Sequence, residues 1–139
     1  MRRIVVERAA DGSALWAVEV ADSWFARLRG LIGRRSPAQG TGLYFPGTNS
    51  IHMLFMRYPI DCVFVGSPSA DGGAAAGAGR AGWAGEVREV LAVRENLRPW
   101  TGVVWWVRGA RGAIELAAGG ATQAGVGVGD RLRFSSAET

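Results

Sequence analysis

From Gly66 to Gly85 the chain reads GSPSADGGAAAGAGRAGWAG, and no other stretch limits the possible folds so sharply. Fixing each residue's backbone costs about 1–2 kcal/mol. Side chains this small bury too little apolar surface to offset that cost. Trp83 is the one large apolar residue in the stretch. Any core must therefore be assembled from residues on both sides of it. We read 66–85 as a flexible Gly/Ala-rich hairpin loop inside one domain, a tolerated insertion and not a lid. The chain has 139 residues, enough for one ordinary core and too few for two.

Before the loop, RIVVE (3–7) and ALWAVEV (14–20) read as strands joined across Asp11, Gly12 and Ser13. In ADSWFARLRGLIGRRS, residues Trp24, Phe25, Leu28, Leu31 and Ile32 fall at helical spacing. Asp22 or Ser23 suits the N-cap and Gly33 the stop. Gly30, inside this helix, costs about 1 kcal/mol relative to alanine, which suggests close backbone packing. Short strands are predicted at 42–45, 50–54 and 60–65, with Pro59 at a strand start or turn. After the loop, 86–94 and 103–107 read as strands. A further strand ends near Leu116, followed by a short helical turn, a glycine-rich turn and a last strand at 131–134. These elements predict an α+β domain: a mostly antiparallel sheet or partly closed barrel with one main α-helix.

The net charge is +4, and all 16 basic residues are arginines. Heavy use of alanine, glycine and arginine fits a GC-rich bacterial genome. Guanidinium groups do grip phosphate bidentately, but the arginines form no dense stripe in sequence, so nucleic acid is not an expected partner. No apolar run approaches the roughly 20 residues of a membrane-spanning helix. Glu7, Arg8 and Asp11 interrupt the apolar stretch that a signal peptide would need. Together with the single cysteine, Cys62, this predicts a soluble cytoplasmic protein with no membrane partner.

The chemistry-bearing residues concentrate in NSIHMLFMRYPIDCVFV, 49–65. Strand alternation puts Ile60, Cys62 and Phe64 on one face and Asp61 beside Val63 and Val65 on the other. A carboxylate aligned with two valines needs partners, and Arg27, Arg34, Arg57 or backbone N–H groups are available. His52 is the only histidine, which removes a multi-histidine zinc site. A copper(I) set of His52, Met53, Met56 and Cys62 is chemically conceivable, but methionine in an apolar segment is core filler by default. No metal site and no cofactor is expected. A nucleophile at Cys62 or Ser50 served by His52 and an aspartate is also conceivable; flanked by Ile60 and Phe64, Cys62 reads as an inert buried thiol instead.

AGVGVGD at 124–130 lacks the lysine and the strand–turn–helix context of a phosphate loop. It reads as a turn that places Asp130 ahead of a strand. Trp105 and Trp106 should point to opposite faces, one into the core and one near the surface.

Several of these segments together look familiar. RLRGLIGR (27–34), GLYF, SIHMLFMRYPIDCVFV, LRPW (97–100) and IELAAGGATQAGVGVGDRLRF resemble, in order and spacing, the uncharacterised domain-of-unknown-function family 192. The resemblance spans roughly residues 14–134, with 1–13 as an added N-terminal strand. The family's pattern falls on Arg27, Gly30, Leu31, Met53, Pro59, Asp61, Glu115, Gly129 and Asp130. One branch carries a Trp-Met-Lys-Asn-Thr stretch where this chain has His52 to Met56, placing this chain in the His-containing branch. The 66–85 loop replaces a short hairpin turn, and many relatives are exported. The resemblance implies a fold and a set of positions, and no activity.

The resulting expectation is a non-enzymatic module binding a small polar or anionic ligand. Its site is drawn from Arg27, Arg34, His52, Arg57, Asp61 and Glu115 converging at one end of the sheet. Two alternatives stand beside it. One is an acid–base enzyme using Asp61 or Glu115 with His52; it lacks a recognisable nucleophile. The other is a structural interaction domain of a cell-surface or secretion assembly.

Overall fold

The computed structural model describes residues 2–21, 38–52, 58–69, 85–100, 103–104 and 106–136. Nearly all of the ordered structure in them is strand. β1 (Arg3–Arg8), β2 (Ala14–Val20), β3 (Thr41–Pro46), β5 (Ile60–Pro68), β6 (Val87–Leu97), β8 (Gly112–Ala117) and β9 (Arg131–Ser136) form a closed barrel in the order β1-β2-β3-β8-β5-β6-β9. β4 (Ile51–His52) and β7 (Val103–Val104) make a separate two-stranded ribbon, and α1 (Gly120–Ala124) is the one helix, a short one, among the described residues.

The predicted strands fall close to the observed ones, but the predicted class does not stand. The α+β expectation of a sheet or partly closed barrel with one main helix is corrected by a fully closed ring and a five-residue helix. The physical reason is closure. β1 pairs with β2 on one side and with β9 on the other, so the ring has no edge strand and buries its apolar face against itself. A helical layer is not needed to cover that face. The main helix predicted within 21–36 lies outside the described residues from residue 22 onward, as does loop 66–85 from residue 70 to 84.

One pair in the ring is parallel, β2 with β3; every other pair is antiparallel. Parallel neighbours need a crossover of a dozen or more residues, and the chain between Val20 and Thr41 is long enough to supply one.

Strand alternation divides the side chains cleanly. Ile4, Val6, Trp16, Val18, Tyr44, Val63, Val65, Ile114, Leu116, Leu132 and Phe134 fill the interior. Tyr44 and Phe134 meet edge to face there, with ring centroids 4.8 Å apart. On the outer face, Cys62, Phe64, Ala92 and Ala113 are covered by Val104, Val107 and Ala110, so the segment containing β7 lies over β5, β6 and β8. Trp106, in the same segment, is 65% exposed.

Candidate functional site

Asp61 has the interior phase, in line with Val63 and Val65, and is fully buried. Its partners are backbone groups. Oδ1 accepts the Asn96 N–H at 2.9 Å, and Oδ2 accepts those of Gly119 and Ala121 at 3.1 Å each. Between the pairs Ile60↔Leu97 and Cys62↔Arg94, β6 has one residue more than β5. This bulge turns the Asn96 N–H inward, with Asn96 in the left-handed region at φ 51°. Asparagine tolerates that region better than most residues.

The same end of the barrel is plugged by α1. Ala121 is buried in the core. The Trp16 indole donates to the Gly120 carbonyl at 3.4 Å, Gln39 to Ala118 at 3.0 Å, and the Arg8 guanidinium to Ala124 at 2.5 Å. The Thr122 hydroxyl donates to the Glu95 carboxylate. Asp61 is thus the clasp that joins the plug, the β6 bulge and the barrel wall.

Glu115 lies on the other side of the wall. It pairs in register with Leu43 on β3 and with Cys62 on β5, and Cys62 pairs with Arg94 on β6. Side chains opposite one another share a face, so Leu43, Glu115, Cys62 and Arg94 form a lateral row on the outside of the barrel. Glu115 is only 4% exposed. Asp61 and Glu115 therefore sit on opposite faces of the sheet and are not brought together. The backbone of His52 lies in the β4/β7 ribbon, opposite Val103, and the adjoining Val104 packs with Cys62 on the outer face. Arg27, Arg34 and Arg57 lie outside the described residues, as do Met53 and Met56.

Burial, reinforced by the negative charge of Glu115, pushes the Cys62 thiol well above its ordinary range; Arg94 opposes this more weakly. The thiolate is the reactive form, so Cys62 is poorly placed as a nucleophile. We expect a thiol reagent to label the native protein far more slowly than the denatured chain, read by mass spectrometry over time. Equal rates would mean that the wall opens around Cys62. Among the described residues, no three His, Cys, Asp or Glu side chains are grouped as a metal site.

A second arrangement lies on the outer face of β9. Leu132 and Phe134 point into the barrel, so Arg131 and Arg133 point out. With Arg8, Asp130, Val87 and Ala10 they line a groove of about 460 Å³. Its signal was there to find, an Arg-Leu-Arg-Phe alternation at 131–134.

Residues 5–70 match the model of the domain-of-unknown-function family 192, described as "Uncharacterized ACR". The resemblance read from the sequence is to this family. A crystal structure from Sinorhizobium meliloti 1021, titled a "putative transcription regulator", superposes with a TM-score of 0.68 at 24% identity, covering 96% of this chain and 92% of that one. A protein of unknown function from Novosphingobium aromaticivorans DSM 12444 gives 0.66 at 18% identity, covering 94% and 82%. At these identities the likeness is one of fold. A search of curated proteins finds no match. The biochemical function of this family-192-like chain is therefore unknown. No helix among the described residues is long and apolar enough to cross a membrane.

Proposed function

We propose that the protein is a non-enzymatic module that binds a small polar ligand on the outer face of the barrel around Glu115. The observation that carries this reading is a carboxylate held at 4% exposure on that face, between Leu43 and Cys62. A buried acid on the outer face of a barrel is a natural element of a recognition site. His52 belongs to the ribbon on that side, and Arg27, Arg34 and Arg57 are the cationic candidates to complete the site. Asp61 is assigned instead to the clasp. An acid–base mechanism shared by Asp61 and Glu115 would need both carboxylates at one substrate, and strand alternation sends them to opposite faces.

The test is a thermal-shift screen with sugars, amino acids, polyols and metal ions, repeated on Glu115→Gln. A compound that raises the Tm of the parent protein and loses that effect in the folded variant supports the proposal. A full screen without a shift, or shifts that survive in Glu115→Gln, would sink it.

A further inference from the structure

We infer that the groove of Arg8, Arg131 and Arg133 is a second site, one that takes a small phosphomonoester bearing a hydroxyl group. Arg131 and Arg133 share the outer face of β9 because Leu132 and Phe134 occupy the interior. Arg8 lies opposite Leu132 at the end of β1 and reaches the groove from the lip of the barrel.

Two of the three guanidinium groups are held in place by neighbours. Arg8 donates to the Ala124 carbonyl and Arg131 to the Ser69 hydroxyl, at 2.5 and 3.0 Å. A guanidinium has five N–H donors, so one such bond orders the group without exhausting its donors, which reduces the ordering cost of binding. The backbone of Arg133 is paired with Glu7 and Val87, and its guanidinium makes no hydrogen bond or ion pair with another described residue.

One acid within the groove offsets part of this charge. Asp130 lines it, and its Oδ2 accepts the Gly127 N–H at 2.8 Å. That bond fixes the carboxylate as an acceptor suited to a ligand hydroxyl. Glu7 and Glu89 pair in register with Arg133 and Arg131, so they share the outer face and temper the charge at its rim, outside the lining of the groove itself. Glu7 also accepts from the Ser135 hydroxyl.

The chemistry favours phosphate over carboxylate. A carboxylate's two oxygens are satisfied by one guanidinium fork, whereas three forks match a group with three terminal oxygens. Val87 and Ala10 supply a small apolar wall for the carbon skeleton. The volume is that of a small-molecule site. Duplex DNA would instead require a run of phosphate contacts along a basic stripe.

The experiment titrates inorganic phosphate and glycerol 3-phosphate into ¹⁵N-labelled protein, with duplex DNA as a third arm. Saturable shifts are expected at the amides of Gly129, Asp130 and Arg131, with glycerol 3-phosphate binding several-fold more tightly than phosphate. Arg131→Gln and Arg133→Gln should each raise Kd about tenfold. Arg133→Lys, which keeps the charge but loses the fork, should fall between, and this variant stands in should Arg133→Gln not fold. Arg108→Gln, an exposed arginine elsewhere, should change nothing. Because none of these variants touches Glu115, the result is independent of the outer-face proposal. Absence of saturable shifts at tens of millimolar phosphate, or an unchanged Kd in the Arg133 variants, would overturn the assignment. So would salt-sensitive duplex binding tighter than that of glycerol 3-phosphate.

Discussion

Replacing Asp61 by alanine is expected to destabilise the protein by about 3–5 kcal/mol, the scale set by several buried donors losing one shared acceptor. The reason lies in what is left behind. The N–H groups of Asn96, Gly119 and Ala121 would lose their acceptor, and each buried donor left unsatisfied costs about 1–3 kcal/mol. Partial collapse and water entry keep the total below the sum. A loss of this size lowers Tm by roughly 10 °C or more. The effect should also be local. α1 has five residues, too few to persist without tertiary support. Amide exchange at Gly119, Ala121 and Asn96 should therefore accelerate beyond the change at Val63 or Ile114 in the barrel wall. Asp61→Asn restores one acceptor oxygen but turns an NH2 toward donors, so it should fall between the parent and alanine. Unchanged stability and unchanged exchange in Asp61→Ala would show that α1 is held by other contacts.

That clasp was only half legible in the sequence. The alternation Asp61–Val63–Val65 announces a buried carboxylate that needs partners, and both arginines and backbone donors were reasonable. The choice was decided by two features with weak sequence signatures, the β6 bulge at 95–96 and the αL turn at Gly119. Neither can be read until the β5–β6 register is known. The strands themselves were legible because turn residues bound them and their apolar positions alternate. Barrel closure was not. It rests on β1 meeting β9 across nearly the whole chain and on β2 meeting β3 in parallel, and local patterning has no information on such distant pairs. The site was scattered for the same reason. Asp61 and Glu115 look like partners in a list of acids, but the register Cys62↔Glu115 and Asp61↔Leu116 puts one inside the barrel and one outside. The arginine groove needed only the Leu132/Phe134 alternation for two of its members, while Arg8 joins them through a pairing that sequence does not reveal.

The distance between β3 and β8 should prove sensitive to a single methyl group. Gly42 pairs with Leu116, and a Cβ placed on it would run into the backbone carbonyl oxygen of Glu115 and come within 2.9 Å of Leu116 Cδ2. The leucine methyl can rotate, but the carbonyl is fixed in the wall. Gly42→Ala must therefore push β3 away from β8 or flatten the local pleat. Overpacking of this kind typically costs about 1–3 kcal/mol, and a rigid obstacle puts this site at the upper end. Lower entropy of the unfolded chain returns only about 0.4–1 kcal/mol, leaving a net loss of roughly 2 kcal/mol. Gly127 is the control, since its added Cβ meets nothing within 4 Å and its φ is not positive. Gly127→Ala should therefore stay within about 0.5 kcal/mol of the parent, measured by urea denaturation of both variants. The consequence reaches the outer face as well. The Gly42 contact is with the peptide oxygen of Glu115 itself, so moving β3 displaces the Leu43–Glu115–Cys62 row. A ligand that depends on Glu115 should bind Gly42→Ala more weakly even where the variant is fully folded, while phosphate affinity at Arg131 and Arg133 stays the same. If Gly42→Ala is as stable as Gly127→Ala, the two strands are farther apart than this close approach requires, and the rigid placement of Glu115 falls with it.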